Sequence, residues 1–200
     1  ASLRILSSIR QGAQLRNDAN RLNWLTNPQF DEGLIVASEE QDDIDFGDVT
    51  VTVVGPLKTE LQALQREHDN WLRELEREAK TPAEVLAAYS DASVPNLSSL
   101  VFVVKHEERR ILLTGDARGD QILKGLTLKG LLRNSDDSSV HFDILKIPHH
   151  GSEHNVEIEF FRRVTADHYV FSGDGEHGNP ERMTFEMLFE ARGAARFHIH

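Results

Sequence analysis

Apolar residues recur at helical spacing in the first half of the chain. Residues 9–26 have an apolar stripe at intervals of three or four, and Asn27-Pro28 ends it. Residues 58–80 have a stronger stripe with charged residues on the opposite side, and Thr59 is placed to cap this predicted helix. A further short helix is predicted at 81–90, with Pro82 in its first turn. The segment at about 57–95 is therefore interpreted as a helical excursion from the domain.

Strand-like patterns lie on either side of this excursion. Apolar and polar residues alternate from Ile44 to Val53 and slip at Gly47-Asp48, which predicts a hairpin with a tight turn. Two continuous apolar runs, at 100–104 and 111–113, flank the charged segment KHEERR at 105–110. This pattern predicts a second hairpin, with a turn at 105–110 and strands that are buried on both faces.

Strands and helices alternate through the second half of the chain. The patterns predict strands at 143–148, 166–173 and 195–200, and helices at 120–134, 155–164 and 181–193. This alternation is typical of a layered α/β domain, and no linker or repeat divides residues 1–200. In such domains, polar residues just beyond the carboxyl ends of strands are the first candidates for chemistry.

Three predicted strands are followed by residues that could bind a metal or take part in catalysis. The candidates come from the segments LTGDA, PHHGS and FSGDGEHGNP, and they are Asp116, His149, His150, Asp174, His177 and Asn179. All follow a buried strand, so we expect them to converge on one edge of the sheet. A carboxylate and neutral imidazoles suit Zn²⁺, Mn²⁺ or Fe, and an aspartate between two cations can bridge them.

Each motif also has an ordinary structural interpretation. An aspartate in a Gly-Asp turn is common in loops, and two adjacent histidines also occur at helix caps and exposed turns. His154 is a candidate surface residue or a neighbour of the site. His198 and His200 alternate on the last strand, so they face the same side and are interpreted as structural.

Charge and composition exclude several kinds of ligand and partner. The 200 residues carry a net charge of −11, which argues against non-specific binding of nucleic acid but not against a metal site that handles phosphate. The sequence has no cysteine, so disulfides and thiolate ligands are excluded. This composition is compatible with a reducing compartment, and the location we expect is cytoplasmic. No segment approaches the roughly 18 apolar residues of a membrane span.

The order of the motifs resembles the C-terminal half of the metallo-β-lactamase fold. An Asn-Ser segment leads into an apolar hairpin, and Thr-Gly-Asp, Pro-His-His-Gly-Ser and a loop with Gly, His and Pro follow. This order is most similar to the hydrolase domain of the DNA-uptake protein ComEC and its stand-alone relatives. The resemblance covers residues 90–200 well and residues 1–55 more loosely.

The resemblance implies a four-layer αββα sandwich with two mixed sheets and two zinc ions, with Mn or Fe as alternatives. Asp116 then corresponds to the bridging ligand, and one of His149 and His150 to the last ligand. His149 is preferred because it comes first off the strand, which leaves His150 close to the metal or the substrate. The residues assigned to substrate binding are Ser152, His177, Asn96 and Ser99.

The chain departs from this family in one major respect. The main metal motif, His-x-His-x-Asp-His, is absent, and no histidine precedes His68. Three explanations stay open: an absent N-terminal portion, a second polypeptide that completes the site, or a relative that has lost its metals. Because a catalytic zinc normally has three protein ligands and a water, this chain alone is expected to bind metal weakly and to expose one sheet face.

Two functions follow as hypotheses. The first is a metal-dependent hydrolase, a phosphodiesterase or nuclease that acts on a phosphodiester or nucleic-acid-type substrate through a metal-activated water. The alternative is a metal-free, non-catalytic relative that binds a partner or regulates it, with the acidic helix at 58–80 available to dock a basic partner. The upstream sequence distinguishes the two, because the His-x-His-x-Asp-His motif is required only by the first.

Overall fold

The computed structural model describes residues 14–15, 17–25, 27–30, 33–78, 98–135, 137–175 and 178–200. The chain divides into two compact units, one of Ala1–Ile35 and Leu61–Pro95 and the other of Val36–Glu60 and Asn96–His200. In the first unit, residues 14–15 and 17–21 are helical, as predicted, and Pro28–Phe30 form a 3₁₀ turn. The helix predicted at 81–90 lies outside the described residues. The candidate site lies in the second unit.

The second unit is built on a mixed β-sheet. Among the described residues, seven strands pair in the order of the sequence. They are β1 (Ile44–Phe46), β2 (Val49–Gly55), β3 (Val101–His106), β4 (Arg109–Leu113), β5 (Val140–Lys146), β6 (Val164–Val170) and β7 (His198–Ile199). Strands β1 to β4 form an antiparallel meander, and β4 to β7 are parallel. The predicted mixed α/β class and the hairpin at Gly47-Asp48 are confirmed.

Four helices lie between strands along the described sequence. They are α1 (Lys58–Glu78), α2 (Gly119–Leu128), α3 (Ile158–Arg163) and α4 (Arg182–Arg192), and the last three link β4 to β5, β5 to β6 and β6 to β7. The apolar sides of α2, α3 and α4 pack on the sheet, where Leu112, Leu145 and Tyr169 are fully buried. In the part of the chain that the structure describes, no helix is long and apolar enough to cross a membrane.

The second hairpin differs from its prediction in two ways. The turn predicted at 105–110 is wrong, because β3 continues to His106 and β4 begins at Arg109, which leaves a two-residue turn. The charged residues are the solvated ends of strands, and polarity alone does not distinguish such ends from a loop. Burial on both faces is also wrong. Val103 is buried and Phe102 half-buried, while Leu113 is 41% exposed.

An apolar row crosses the sheet on the face opposite these buried residues. The row follows the strand register from one strand to the next and consists of Ile44, Val51, Val104, Ile111 and Ile144. All five side chains are half-buried, whereas Val103, Leu112 and Leu145 on the opposite face are buried. The two faces of the sheet are therefore not equally covered.

Glu60, and not the predicted Thr59, makes the capping hydrogen bond at the start of helix α1. Its Oε2 accepts a hydrogen bond of 2.8 Å from the Leu57 backbone N–H, three residues earlier, which is one half of a capping box. Burial raises the pKa of Glu60 above its ordinary value of 4.5, although the Leu57 hydrogen bond and the charge of Lys124 oppose the shift. The folded chain therefore holds this proton more tightly than the unfolded chain does.

Glu60→Gln is expected to stabilise the protein at pH 7 and not at pH 4. As the pH rises from 4.5 through the raised pKa, the wild-type protein loses stability because it must ionise a buried carboxyl. Gln keeps an oxygen acceptor for Leu57 and never ionises. Thermal unfolding at both pH values measures the difference, with Glu108→Gln on the exposed β3–β4 turn as the control. An equal gap in Tm at pH 4 and pH 7 contradicts this account.

Candidate active site

The carboxyl ends of β4 and β5 bring Asp116 and His150 together. Because the two strands are parallel neighbours, their carboxyl ends lie at the same edge of the sheet. Asp116 follows β4 in a turn, and His150 follows β5 in the 3₁₀ turn Pro148–Gly151. Asp116 Oδ1 lies 3.5 Å from His150 Nε2, and the two side chains are 40% and 44% exposed. A ligand from solvent can therefore reach both groups.

Hydrogen bonds join the two strand ends and fix the backbone of the site. The Thr114 hydroxyl donates to the Lys146 carbonyl at 2.7 Å. The Gly115 carbonyl accepts from Lys146 Nζ at 2.8 Å and from the His149 N–H at 3.1 Å. The Asp116 N–H donates to Ser99 Oγ at 3.2 Å. Ser99, predicted to bind substrate, thus supports the backbone of Asp116.

The two histidines adopt an uncommon backbone conformation. Their φ angles are 46° and 55°, in the left-handed region that non-glycine residues rarely occupy. Gly151 follows with φ at 92°, and a Cβ there would lie 2.7 Å from Cβ of Pro180. Strained residues of this kind cluster at functional sites, where the surrounding structure holds them in place. The positive φ of Gly151 and the close approach of Pro180 explain why glycine follows the two histidines.

Hydrogen bonds orient both imidazole rings through the same nitrogen. His149 Nδ1 donates to Asn155 Oδ1 at 2.9 Å, and His150 Nδ1 lies 2.9 Å from Ser172 Oγ. An imidazole that binds a metal is usually fixed in this way, with the other ring nitrogen facing the ion. His149 was predicted as the preferred ligand, whereas the ring nitrogen beside Asp116 is Nε2 of His150.

Asn155 is a site residue that the sequence analysis missed. It is only 8% exposed. Besides its bond to His149, its Nδ2 donates to the Asp116 carbonyl at 3.2 Å and its own carbonyl accepts from the Gly119 N–H at 2.7 Å. The side chain and backbone carbonyl of Asn155 thus join the Asp116 turn, the histidine turn and the start of α2. An asparagine six residues after His149 matches no metal-ligand pattern, so the sequence carries no signal for it.

Asn155→Ala is expected to lower the free energy of unfolding by about 2 kcal/mol, because it removes two hydrogen bonds that a buried side chain makes to partly buried groups. The affected groups are the ring of His149 and the Asp116 carbonyl. Urea unfolding measures the loss, and Asn134→Ala at an exposed position serves as the matched control. Equal stability of the two variants contradicts the role given to Asn155.

The loop after β6 completes an open cleft beside His150. The cleft has a volume of about 250 Å³ and is lined by His150, Ser172, Gly173, Asp174 and Asn179. Asn179 Nδ2 donates to the His149 carbonyl at 3.2 Å. The ends of β4, β5 and β6 therefore converge at one edge, as expected from the sequence. His177 and Asn96 lie outside the described residues, so their predicted roles stay predictions.

Ser152 and Lys146 differ in their relation to the site. Ser152, predicted to bind substrate, is 7% exposed, and its hydroxyl donates to Glu181 Oε2 at 3.3 Å.

Lys146 was not among the residues predicted from the sequence, although its amine lies at the edge that carries Asp116. Burial lowers the pKa of Lys146, and the negative charge of Asp116 opposes this shift. Lys146 adds a positive charge to the site.

His198 and His200 lie on the same side of β7, as expected, and contact His168 of β6. The rings of His168 and His198 stack with centroids 4.9 Å apart. His168 Nδ1 lies 2.9 Å from His200 Nε2. The contacts join the two strands side by side, in agreement with a structural role.

The carboxylate of Asp116 and the imidazole of His150 are both suitable ligands for a divalent metal ion. Two ligands at about 2.0–2.1 Å from a tetrahedral zinc are roughly 3.4 Å apart. The separation of 3.5 Å between Asp116 Oδ1 and His150 Nε2 is close to that value. A catalytic zinc normally has three protein ligands, and this pair supplies two of them. The geometry therefore provides one side of a metal site.

Part of the chain is similar to proteins named as microtubule-associated. No family model matches the chain. Over 125 residues, 62% of its length, the chain is 30% identical to microtubule-associated protein 1A of Mus musculus, of which it spans 4%. It is 38% identical over 61 residues, 30% of its length, to the Homo sapiens protein of the same name, and 30% identical over 94 residues, 43% of its length, to microtubule-associated protein futsch of Drosophila melanogaster. It spans 2% of each of these two proteins.

Proposed function

We propose that this chain forms one side of the active centre of a metal-dependent hydrolase with a phosphodiester or nucleic-acid-type substrate. The observation that carries the proposal is the pair of Asp116 Oδ1 and His150 Nε2, 3.5 Å apart and open to solvent. A divalent ion held by this pair, zinc or else manganese or iron, would supply a Lewis acid that activates water and offsets the charge of a phosphate.

Neighbouring residues hold Asp116 and His150 in position to bind a ligand. Ser172 orients the His150 ring, and bonds from Ser99 and Asn155 hold the backbone of Asp116. The positive charge of Lys146 favours an anionic group near the strand ends. Strand ends tied together in this way keep the two donors in place before a ligand arrives, which reduces the ordering cost of binding.

The proposal includes the four-layer αββα sandwich that the resemblance implies. A second sheet would pack against the half-buried row that includes Val51, Val104 and Ile111. Helices α2, α3 and α4 would then form one outer layer. The further metal ligands would come from that second sheet, in the same polypeptide or in a partner chain.

The test is hydrolysis of bis(p-nitrophenyl) phosphate by this chain and by the longest polypeptide in which it occurs, with Zn²⁺ or Mn²⁺ added. Asp116→Ala is expected to lower the rate of the active form by at least about 100-fold, because it removes a metal ligand. Asp48→Ala, on the exposed β1–β2 turn, is the matched control. Activity that survives in Asp116→Ala would overturn the proposal.

A second candidate function is a non-catalytic module that binds a protein partner. Two observations favour it. The Asp116–His150 pair supplies two ligands, one fewer than a catalytic zinc normally has, and part of the chain is similar to proteins named as microtubule-associated. Cosedimentation with microtubules tests it. This candidate requires the chain to pellet with microtubules in a saturable way and Asp116→Ala to bind equally well. Failure to pellet excludes microtubules as the partner.

A further inference from the structure

A second group of potential metal ligands lies outside the Asp116–His150 pair. Glu153, His154 and Glu181 each offer one ligand atom, and these atoms all lie within 4.8 Å of one another. Glu153 and Glu181 are half-buried, and His154 is exposed. The three residues come from the loop after the histidine turn and from the residue that precedes α4. We call them the Glu153–Glu181 cluster.

Hydrogen bonds hold the Glu181 carboxylate in the cluster. Its Oε2 accepts from the Glu153 N–H at 2.7 Å and from the Ser152 hydroxyl at 3.3 Å. The Glu181 N–H donates to the Gly151 carbonyl at 3.0 Å, and Thr184 Oγ1 donates to the same carbonyl at 2.7 Å. These hydrogen bonds fix the orientation of the Glu181 carboxylate beside Glu153, in contrast to a flexible glutamate on the surface.

The charges of the cluster favour a cation. Two carboxylates at this distance repel each other. Arg182, which follows Glu181 in the sequence, pairs with Glu186, with Nε 2.7 Å from Oε1. A divalent ion would offset both negative charges at once.

The donor set indicates which cation fits. Two carboxylates and one imidazole suit Zn²⁺ or Mn²⁺, whereas Ca²⁺ and Mg²⁺ prefer oxygen ligands alone. An open cleft of about 520 Å³, whose lining includes Glu153, Pro180 and Glu181, leaves room for water ligands. Donors up to 4.8 Å apart would have to approach one another by at most about 1.4 Å to reach the roughly 3.4 Å spacing of a tetrahedral site.

We propose that the Glu153–Glu181 cluster is a second divalent-metal site, for Zn²⁺ or Mn²⁺, with a structural role. Metal bound there joins the 152–155 loop to the start of α4. The same loop begins directly after Gly151, so the site stabilises the strained turn that carries His149 and His150. This site does not depend on catalysis at Asp116.

The test uses Zn²⁺ alone, titrated by calorimetry into the chelator-treated full chain carrying Asp116→Ala and His150→Ala. This background removes the other candidate site, so a failure here is separate from a failure of the proposed hydrolase. We expect one zinc per chain. His154→Ala and Glu181→Gln are each expected to weaken its binding at least about 10-fold, because each removes a ligand. Glu186→Gln, an adjacent carboxylate outside the cluster, is expected to change the affinity less than about 2-fold.

Folding of each variant is checked by circular dichroism and by thermal unfolding without zinc, and Glu181→Gln retains an oxygen acceptor for Glu153 and Ser152. Zinc is expected to raise the Tm of the background protein and not that of a form that also carries Glu153→Gln. The proposal is overturned if the background protein binds no zinc. It is equally overturned if folded His154→Ala and Glu181→Gln forms bind zinc as tightly as the background protein does.

Discussion

Gly125→Ala is expected to lower the free energy of unfolding by about 3 kcal/mol, the upper end of the usual cost of overpacking a core. Gly125 is buried in α2 where that helix meets β2. A Cβ at this position would lie 2.0 Å from the Val54 carbonyl oxygen and 2.8 Å from its Cγ1. Because the oxygen belongs to the backbone of a sheet strand, α2 would have to move away from the sheet.

The direction of the stability change in Gly125→Ala distinguishes overpacking from helix propensity. Within a helix, replacing glycine by alanine usually stabilises a protein by about 1 kcal/mol, so helix propensity alone predicts a gain. Urea unfolding decides between the two outcomes. Gly130→Ala is the control, since no atom lies within 4 Å of its Cβ and its cost comes from φ at 68° alone, about 1 kcal/mol. A stabilised Gly125→Ala variant would show that α2 does not lie this close to β2.

His150→Ala is expected to weaken zinc binding at the Asp116 site by at least about 100-fold, because it removes a ligand from a site that has few. His149→Ala is the matched control from the same turn. Its ring is held by Asn155, so its loss is expected to lower stability and to reduce zinc affinity less than about 10-fold. Calorimetry in the Glu181→Gln background separates this site from the Glu153–Glu181 cluster.

The opposite order of the two histidine variants would contradict the assignment of His150. In that case the ring oriented by Asn155 would be the ligand, as the sequence analysis preferred, and the contact of His150 with Asp116 would belong to the surrounding structure. Equal affinities for all forms would show that zinc does not bind at these strand ends.

The general layout of the second unit was predictable from periodicity. Continuous apolar runs and their helical connections indicated the parallel half of the sheet, and the positions of Asp116 and His150 beyond β4 and β5 followed from it. Periodicity reports burial, so it describes elements that bury one side. It misplaced the turn at 105–110 because solvated strand ends are polar, like loops.

Side-chain partnerships were not predictable. Asn155, Lys146 and Ser172 act through hydrogen bonds set by the packing of distant segments, and a single sequence shows no spacing rule for them. The Glu153–Glu181 cluster is similar, since its two glutamates are far apart in sequence and meet only because α4 starts next to the histidine turn. The close approach of α2 to β2 at Gly125 also required the structure.

The most direct test of the proposed metal site is anomalous diffraction at the zinc edge from crystals of this chain grown with zinc. The account predicts a peak within about 2.5 Å of both Asp116 Oδ1 and His150 Nε2, the range of zinc–ligand bonds with allowance for coordinate error. A structure with zinc bound elsewhere and no peak between these two atoms would contradict it.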